Sequence, residues 1–381
     1  MIDDIRFEST AQDGAARRGV LHTGHGAVQT PAFMPVGTQA TVKTLGSEDL
    51  ESLGVALSLA NTYHLYLRPG VEVVEAAGGL HRFMACSHAL LTDSGGYQVM
   101  SLSDLNRVRD EGVEFRSHLD GSRHFLTPEL AVDVQARLGA DIVMCLDECV
   151  AAGADRDAYR RAVRRTHDWA TRCRAVHGPR FRTHGYPQAL FGIAQGGTDA
   201  ALRRESVEGL LQLDFPGYAI GGLAVGEPKP AMLETVALTA AMLPADRPRY
   251  LMGVGYPEDL VRCVARGVDL FDCVLPTRNA RNGMAFTRHG KLGVRHAAWA
   301  RDERPLDPAC PCRVCRRYTR SYVRHLQQSG EILGLRLVTY HNLAFYLGLM
   351  DEMRQAIEAG RFDAWQQAFF ADYACEPLEA H

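Results

Sequence analysis

The sequence lacks the features that mark a secreted or a membrane protein. Its first residues, Met1-Ile2-Asp3-Asp4, have neither a basic stretch nor an apolar one, and no apolar run approaches the roughly 20 residues that span a bilayer. The formal net charge is only −3, so no overall basicity indicates a polyanionic partner. From these absences we expect neither a secretory leader nor a transmembrane helix, and the chain is not uniformly basic. We expect a cytoplasmic protein without membrane contact.

Cysteine is present in an unusual arrangement. Ten cysteines in a chain of 381 residues fit reduced thiols better than a disulfide framework. Three of them, Cys310, Cys312 and Cys315, are closely spaced, and His341 follows after 25 intervening residues. A Cys₃His set suits one structural Zn²⁺ per chain, because four protein ligands leave no position for a reacting water. The alternatives are free core cysteines, or His325 as the fourth ligand, although His325 falls on a predicted basic helix.

Short apolar runs that end in glycine or a polar residue recur eight times. They lie at residues 31–37, 55–61, 89–93, 141–147, 190–195, 218–223, 250–255 and 269–274, with segments of helical periodicity between them. Apolar strands that alternate with helices predict a parallel α/β sheet, and eight such units predict a (β/α)₈ TIM barrel. A doubly wound sheet lacks support, because no Gly-x-Gly-x-x-Gly motif opens a helix after the first strand.

The pattern also predicts three additions to the barrel. Residues 5–8 and 19–22 predict an N-terminal antiparallel lid, and residues 113–116 and 123–126 predict a β-hairpin insertion around the Asp120-Gly121 turn. The zinc segment is a further insertion after the eighth strand. We expect one catalytic domain, residues 1–381, which comprises a β lid (1–30), the barrel (31–300), a zinc-binding subdomain (301–345) and C-terminal helices that close the barrel (346–381).

Positive charge is concentrated around the predicted zinc segment. From Arg278 to Arg324 there are twelve Lys or Arg residues against three acidic ones, so the rest of the chain carries a net −12. Tyr318 and Tyr322 lie among these arginines. Such segregation of charge is typical of a surface that binds phosphates, and a solvated helical face is the alternative.

Polar residues at the ends of the predicted strands are the candidates for chemistry, because barrels carry their active sites there. Asp93 and Asp272 are carboxylates at such ends, and paired carboxylates carry out displacement at an anomeric carbon. A helix N-cap or a loop hydrogen bond is the alternative for either one. Asp147 can accept two hydrogens from an N–H edge such as that of guanine, and Gln195 with the Gly222 amide complements a carbonyl.

Taken together, these motifs resemble the bacterial type of tRNA-guanine transglycosylase over about residues 5–373. The motifs occur in the order found in that family, and the metal ligands follow them. They are Thr92-Asp93-Ser94-Gly95-Gly96-Tyr97-Gln98, Asp147-Glu148-Cys149, Gly192-Ile193-Ala194-Gln195-Gly196-Gly197, Gly221-Gly222-Leu223-Ala224-Val225-Gly226-Glu227 and Asp272-Cys273-Val274-Leu275-Pro276-Thr277-Arg278.

The resemblance implies a reaction and a set of roles. Wobble guanine in tRNAs with a GUN anticodon is exchanged for 7-aminomethyl-7-deazaguanine (preQ1), in queuosine biosynthesis. Asp272 is the implied nucleophile that forms a covalent bond to the ribose, and Asp93 is the implied general acid and base. The implied base pocket consists of Asp147, Gln195, Gly222, Leu223, Tyr97, Met252 and Cys149. The implied RNA-binding residues are Arg278, Arg281, Arg316 and Arg317, and the implied assembly is a homodimer on the anticodon loop.

Two alternatives remain from the sequence. The first is a non-catalytic RNA-binding paralogue, which would lack the acid and the nucleophile, whereas Asp93 and Asp272 are both present. The second is a related enzyme that uses queuine, or one that inserts a deazaguanine into DNA. Cys149 and Val225 weigh weakly against queuine.

Overall fold

Strands and helices alternate along most of the chain. The computed structural model describes residues 5–102, 106–178 and 184–377. Its first elements are β1 (Arg6–Asp13), β2 (Ala16–Thr23), β3 (Gly26–Thr30), β4 (Ala32–Gly37), α1 (Ser47–Ser52), β5 (Leu57–Ala60), α2 (Thr62–Leu67), α3 (Val71–Ala76), α4 (Leu80–Phe83), β6 (Ala89–Thr92), α5 (Gly96–Leu102), β7 (Asn106–Arg109), β8 (Gly112–Arg116), β9 (Arg123–Leu126), α6 (Pro128–Leu138), β10 (Ile142–Met144) and α7 (Arg156–Val176). The remaining ones are β11 (Ala189–Ala194), α8 (Ala200–Leu211), β12 (Tyr218–Ile220), α9 (Lys229–Met242), β13 (Arg249–Leu251), α10 (Pro257–Val264), β14 (Leu270–Cys273), α11 (Leu275–Arg281), β15 (Met284–Thr287), β16 (Gly290–Gly293), a 3₁₀ helix (Ala297–Arg301), α12 (Arg320–Gln328), α13 (Ile332–Glu358), α14 (Phe362–Asp372) and β17 (Ala374–Pro377).

Eight strands close into a parallel barrel, which confirms the predicted TIM fold. Their order is β4, β5, β6, β10, β11, β12, β13 and β14, and β14 pairs back onto β4 with Asp272 opposite Met34. Six of the eight predicted apolar runs contain one of these strands, and β11 and β13 each begin one residue before the run that predicted them. The runs are apolar throughout because the flanking helices cover the outside of the barrel while side chains fill its interior.

The predicted N-terminal lid is an antiparallel sheet of β1, β2 and β3. Arg17 on β2 holds it against the barrel: its Nε donates to Asp269 Oδ1 at 2.9 Å, and its other hydrogens reach the carbonyls of Ala245 and Arg247 at 2.8 and 2.6 Å. Asp269 immediately precedes β14. The lid therefore closes the N-terminal end of the barrel and leaves the carboxyl ends of the strands open.

The predicted hairpin insertion is also present, as β8 and β9, and a third strand, β7, extends it. The inward-facing Val113, Phe115 and Leu126 are buried. Trp169 on α7 donates its indole N–H to the carbonyl of Asp110 at 2.8 Å, which fixes the sheet to the barrel's outer layer. The third strand was not predicted, because its residues are mostly polar.

The C-terminal part combines helices with a small sheet. β15, β16 and β17 form this sheet, and β17 lies in a region for which the sequence predicted helices alone. The expected boundary at residue 345 falls inside α13, so the division into subdomains stays a prediction. α13 has 27 residues, yet among the described residues neither it nor another helix combines the length and apolar character of a membrane span.

Candidate active site and metal centre

A cavity of about 480 Å³ opens at the carboxyl ends of the barrel strands. This is the end at which TIM barrels assemble catalytic groups from separate strands. Nine of the residues singled out from the sequence line this cavity: Asp93, Tyr97, Asp147, Cys149, Gly222, Leu223, Met252, Asp272 and Arg278. The fold thus brings together carboxylates that are far apart in the chain.

Asp93, directly after β6, is held by four donors. Its Oδ1 accepts the backbone N–H groups of Thr62 at 2.9 Å and Gly95 at 3.2 Å. Its Oδ2 accepts the side-chain amides of Gln98, at 2.9 Å, and Asn61. The carboxylate therefore has one orientation, and it braces the loops around it while it faces the cavity. Asn61 ends the predicted run 55–61 and Gln98 lies in the Thr92–Gln98 motif, but neither was assigned a role from the sequence.

Two carboxylates in the cavity, Asp93 and Asp147, have pKa values raised toward neutral pH. Burial raises the pKa of Asp93 to about 6; hydrogen bonds from Asn61 and Thr62 oppose the rise, and the charge of Asp272 adds to it. Burial also raises the pKa of Asp147 to about 6, and the charge of Asp93 contributes. Such shifted groups in a cleft are typical of general acids and bases, for which both protonation states must be accessible.

Asp272 is the penultimate residue of β14, and one of its oxygens accepts two hydrogen bonds. Its Oδ1 accepts the hydroxyl of Tyr250 at 2.6 Å and the backbone N–H of Gly253 at 2.9 Å. Burial raises the pKa of Asp272, and these two hydrogen bonds oppose the rise. Burial raises the pKa of Tyr250 well above its usual value as well, so the phenol keeps its proton and remains a donor. Tyr250 lies in a predicted strand, but its role was not predicted.

Gln195 lies behind the cavity wall and contacts Asp147. Its Nε2 donates to Asp147 Oδ2 at 2.6 Å, which leaves the second N–H of the amide for another acceptor. Gly222 has φ +65°, and a Cβ there would lie 2.2 Å from the Gln195 side-chain oxygen. Only glycine therefore fits, and the loop after β12 lies close enough to share a ligand with Gln195.

A buried arginine shapes this wall, and it was not predicted. Arg203 on α8 is fully buried and donates to four backbone carbonyls: Gly197 at 2.7 Å, Ala194 at 3.0 Å, Gly221 at 2.8 Å and Gly222 at 3.5 Å. Burial lowers the pKa of Arg203 to about 10. It ties the loops after β11 and β12 together. An arginine in an amphipathic helix normally indicates an exposed position, so its local sequence was uninformative.

The four arginines predicted to bind RNA do not form one group. Arg278 lines the cavity, whereas Arg281 donates to the carbonyl of Thr277 at 2.9 Å and is not part of its wall. Arg316 and Arg317 are exposed on the cysteine segment, and Arg316 borders a separate groove. A phosphate surface that includes all four would therefore have to extend well beyond the cavity.

Part of the basic segment has a structural role instead. Arg320 and Arg304 both pair with Asp302, at 3.1 and 2.8 Å. Arg313 and Arg336 both bind the buried carboxylate of Asp49 on α1. The local excess of positive charge is thus partly neutralised by acids of the same segment and of a distant helix.

The cysteine segment and α13 form a metal centre of the predicted composition. The donor atoms of Cys310, Cys312, Cys315 and His341 all lie within 4.8 Å of one another. His341 Nδ1 is 3.7 Å from Cys312 Sγ and 3.3 Å from Cys315 Sγ, and its Nε2 donates to the carbonyl of Phe286 at 2.8 Å. This hydrogen bond fixes the tautomer whose free nitrogen faces the thiols, as in metal-bound histidines. The donor set therefore fits a tetrahedral metal ion.

The alternative fourth ligand is excluded by position. His325 is exposed on α12 and does not belong to the cluster, whereas His341 is fully buried on α13. Of these two histidines, His341 is the one that the fold places beside the three cysteines. A metal at this centre would join the cysteine loop to the long C-terminal helix, and both pack in the same apolar cluster.

Comparison with known sequences yields consistent matches. The sequence profile of the family described as Queuine tRNA-ribosyltransferase matches residues 12–375. The chain is 55% identical over 367 residues to a queuine tRNA-ribosyltransferase of Symbiobacterium thermophilum, covering 96% of this chain and 90% of the relative. It is 54% identical over 371 residues to that of Caldanaerobacter subterraneus, covering 97% and 98%, and 51% identical over 375 residues to that of Geobacillus kaustophilus, covering 98% and 97%.

Proposed function

The chain belongs to the queuine tRNA-ribosyltransferase family, and on this premise we propose that it exchanges the wobble guanine of GUN-anticodon tRNAs for preQ1. The observation that carries the proposal is the meeting of Asp93, Asp147 and Asp272 in one cavity. A nucleophile, a proton carrier and an acceptor for a purine edge are the groups that base exchange requires.

In the proposed first step, Asp272 attacks C1′ of the ribose as its bond to guanine breaks. The two hydrogen bonds to Asp272 both go to Oδ1, so Oδ2 is the oxygen suited to form the ester. Asp93 donates its proton to the departing guanine. In the second step, the Asp93 carboxylate takes a proton from preQ1, whose nitrogen attacks C1′ and expels Asp272. Charge and protons balance over the two steps.

The proposed base pocket uses the groups around Asp147. Its carboxylate accepts the N–H edge of guanine or preQ1, and the free N–H of Gln195 together with the Gly222 amide donates to the base carbonyl. The carbonyl of Leu223 receives the aminomethyl arm. Tyr97, which is 53% exposed at the rim, and Met252 cover the two faces of the ring, as a flipped base requires.

Mass analysis of tRNA tests the choice of base. The enzyme is incubated separately with guanine, preQ1 and queuine, and the nucleoside at the wobble position is identified. We expect incorporation of guanine and preQ1. If only queuine is incorporated, the proposed substrate preQ1 is wrong, although the chain still belongs to the family. If no base is exchanged, the result supports a non-catalytic paralogue. A DNA duplex that carries guanine serves as the fourth arm.

We further propose that the Cys₃His centre holds one structural zinc ion per chain and that the protein works as a cytoplasmic homodimer. Three thiolates and one imidazole favour zinc over harder ions. The centre lies apart from the cavity, so its metal supports the fold of the cysteine segment while the carboxylates carry out the chemistry. Light scattering is expected to give twice the mass of one chain.

Loss of one metal ligand is expected to lower zinc content and tRNA affinity together. In Cys312→Ala, the loop that carries Arg316 and Arg317 loses its anchor on α13, so the slope of binding against salt concentration should also flatten. Elemental analysis after dialysis should give about one zinc per wild-type chain. Cys263→Ala, which removes a buried thiol outside the cluster, is the control. A metal-free wild type with full activity contradicts the assignment.

Removal of the Asp147 carboxylate is expected to lower kcat/KM for guanine by about 100-fold or more, because two N–H donors of the base lose their acceptor in a desolvated pocket. Steady-state incorporation of labelled guanine by Asp147→Ala measures this. Asp168→Ala, on an exposed face of α7, is the matched control. Equal kinetics for Asp147→Ala and wild type would remove Asp147 from the base pocket.

A further inference from the structure

A second cluster of metal-ligand residues lies at the closed end of the barrel. Asp141 immediately precedes β10, His81 lies on α4, and His25 lies in the turn between β2 and β3 of the lid. Their donor atoms all lie within 4.8 Å of one another. The catalytic cavity is at the other end of the same strands, so this cluster serves no step of base exchange. We propose that His25, His81 and Asp141 form a second binding site for a divalent transition-metal ion.

The spacing of the three donors suits such an ion. His25 Nδ1 lies 2.9 Å from Asp141 Oδ1, and His81 Nε2 lies 3.2 Å from Asp141 Oδ2. Ligands bound tetrahedrally at zinc with bonds of about 2.0 Å are roughly 3.3 Å apart. The His25 and His81 rings are stacked, with centroids 3.4 Å apart and planes 13° apart, so the partly exposed His25 ring must turn before both nitrogens face one ion.

One buried nitrogen of His81 has no hydrogen-bond partner among the described residues. The hydroxyl of Tyr186 donates to the carbonyl of Gly139 at 2.7 Å and lies 3.3 Å from His81 Nδ1. His81 Nε2 is buried, lies 3.2 Å from Asp141 Oδ2 and makes no hydrogen bond to the described residues. Asp141 Oδ2 also accepts the backbone N–H of Leu90 at 2.9 Å. An unpartnered buried nitrogen beside a carboxylate is suited to bind a cation.

The surrounding backbone allows this approach and leaves a path for entry. A Cβ at Gly24 would lie 2.9 Å from Tyr186 Cβ and 3.2 Å from Asp141 Oδ1, so glycine permits the lid turn to reach Asp141. His25 is 21% exposed, which gives the site contact with solvent. Two imidazoles and one carboxylate suit Zn²⁺, Co²⁺ or Ni²⁺, and three protein ligands leave positions for water. We therefore expect weaker binding than at the Cys₃His centre, and an ion that ties the lid to the barrel.

Cobalt distinguishes the two metal centres by absorption. Co²⁺ is titrated into dialysed full-length protein with its Cys₃His centre filled, and binding is followed by equilibrium dialysis and visible absorption. We expect each chain to bind one additional Co²⁺ ion. Its absorption spectrum should show the weak bands of nitrogen and oxygen ligation and should lack a thiolate charge-transfer band. Added Co²⁺ should also raise the melting temperature. Base exchange should be unchanged.

Two variants and a control locate the ion. The substitutions His81→Gln and His25→Gln should each lower the affinity for the additional Co²⁺ ion. The loss should exceed the roughly 10–100-fold that removal of an outer-shell partner costs. His289→Gln, at an exposed histidine outside the cluster, should bind like wild type. Wild type that takes up no further ion overturns the proposal, because the cluster then binds no metal. Uptake that survives in both variants also overturns it, since the ion then binds elsewhere.

Discussion

Replacing Asp272 with asparagine is expected to abolish base exchange, with a loss of at least about 10⁴-fold in rate. Under the proposed function, this side chain forms the bond to C1′, and a neutral amide is a poor nucleophile. Denaturing electrophoresis of wild type with labelled tRNA should reveal a covalent complex, and Asp272→Asn should give none. Binding of tRNA should survive, because Arg278 and the exposed arginines are unchanged.

The asparagine variant is a fair test because it preserves the local structure. Its Oδ1 still accepts the hydrogen bonds from Tyr250 and Gly253, so the end of β14 should keep its position. Asp168→Asn, at an exposed site on α7, controls for the chemistry of the substitution. Intact mass must be checked, since deamidation restores aspartate. A variant that remains active without deamidation would show that another group forms the bond to ribose.

The sequence predicted the barrel well because its signal is local and repeated. Each barrel strand must be apolar on both faces. Composition alone is therefore enough to distinguish runs such as 141–147 and 269–274 from the amphipathic helices around them. β7 and β17 were missed because small edge sheets need no such composition. Their pairing depends on partners far along the chain, and β17 pairs with β16 across about 80 residues.

The candidate catalytic carboxylates at strand ends could be predicted from the sequence. The residues that hold the site in place through hydrogen bonds could not. Asp93 and Asp272 follow apolar runs and therefore had to lie at the open end of the barrel. Arg203 and Tyr250, in contrast, act through neighbours that only the folded chain provides. The cysteine cluster combines both cases. The cysteine spacing predicted three candidate ligands, whereas only the position of α13 in the fold places His341, and not His325, beside them.

The second large effect is expected at Asp93. With asparagine there, proton transfer to and from the base is lost, and turnover should fall by about 10²–10⁴-fold. Slow formation of the covalent complex should remain, because Asp272 is untouched. In wild type, kcat/KM should fall above about pH 6 as Asp93 loses its proton, and below about pH 6 as Asp147 gains one. Because Asp93 and Asp147 interact, the two apparent pKa values of this pH profile belong to the pair. In Asp93→Asn, the fall in kcat/KM on the alkaline side should disappear.

Stability gives an independent test of the same carboxylate. Burial raises the pKa of Asp93 from 3.8 in the unfolded chain to about 6, so the folded state binds the proton more tightly. The resulting stabilisation is complete below about pH 4 and is lost as the pH rises through about 6. The free energy of unfolding of wild type relative to Asp93→Asn should therefore fall by roughly 1 kcal/mol from pH 5 to pH 8. Urea unfolding at both pH values measures this, and a difference that is constant or rises with pH would mean that Asp93 is ionised throughout and cannot deliver a proton to the leaving base.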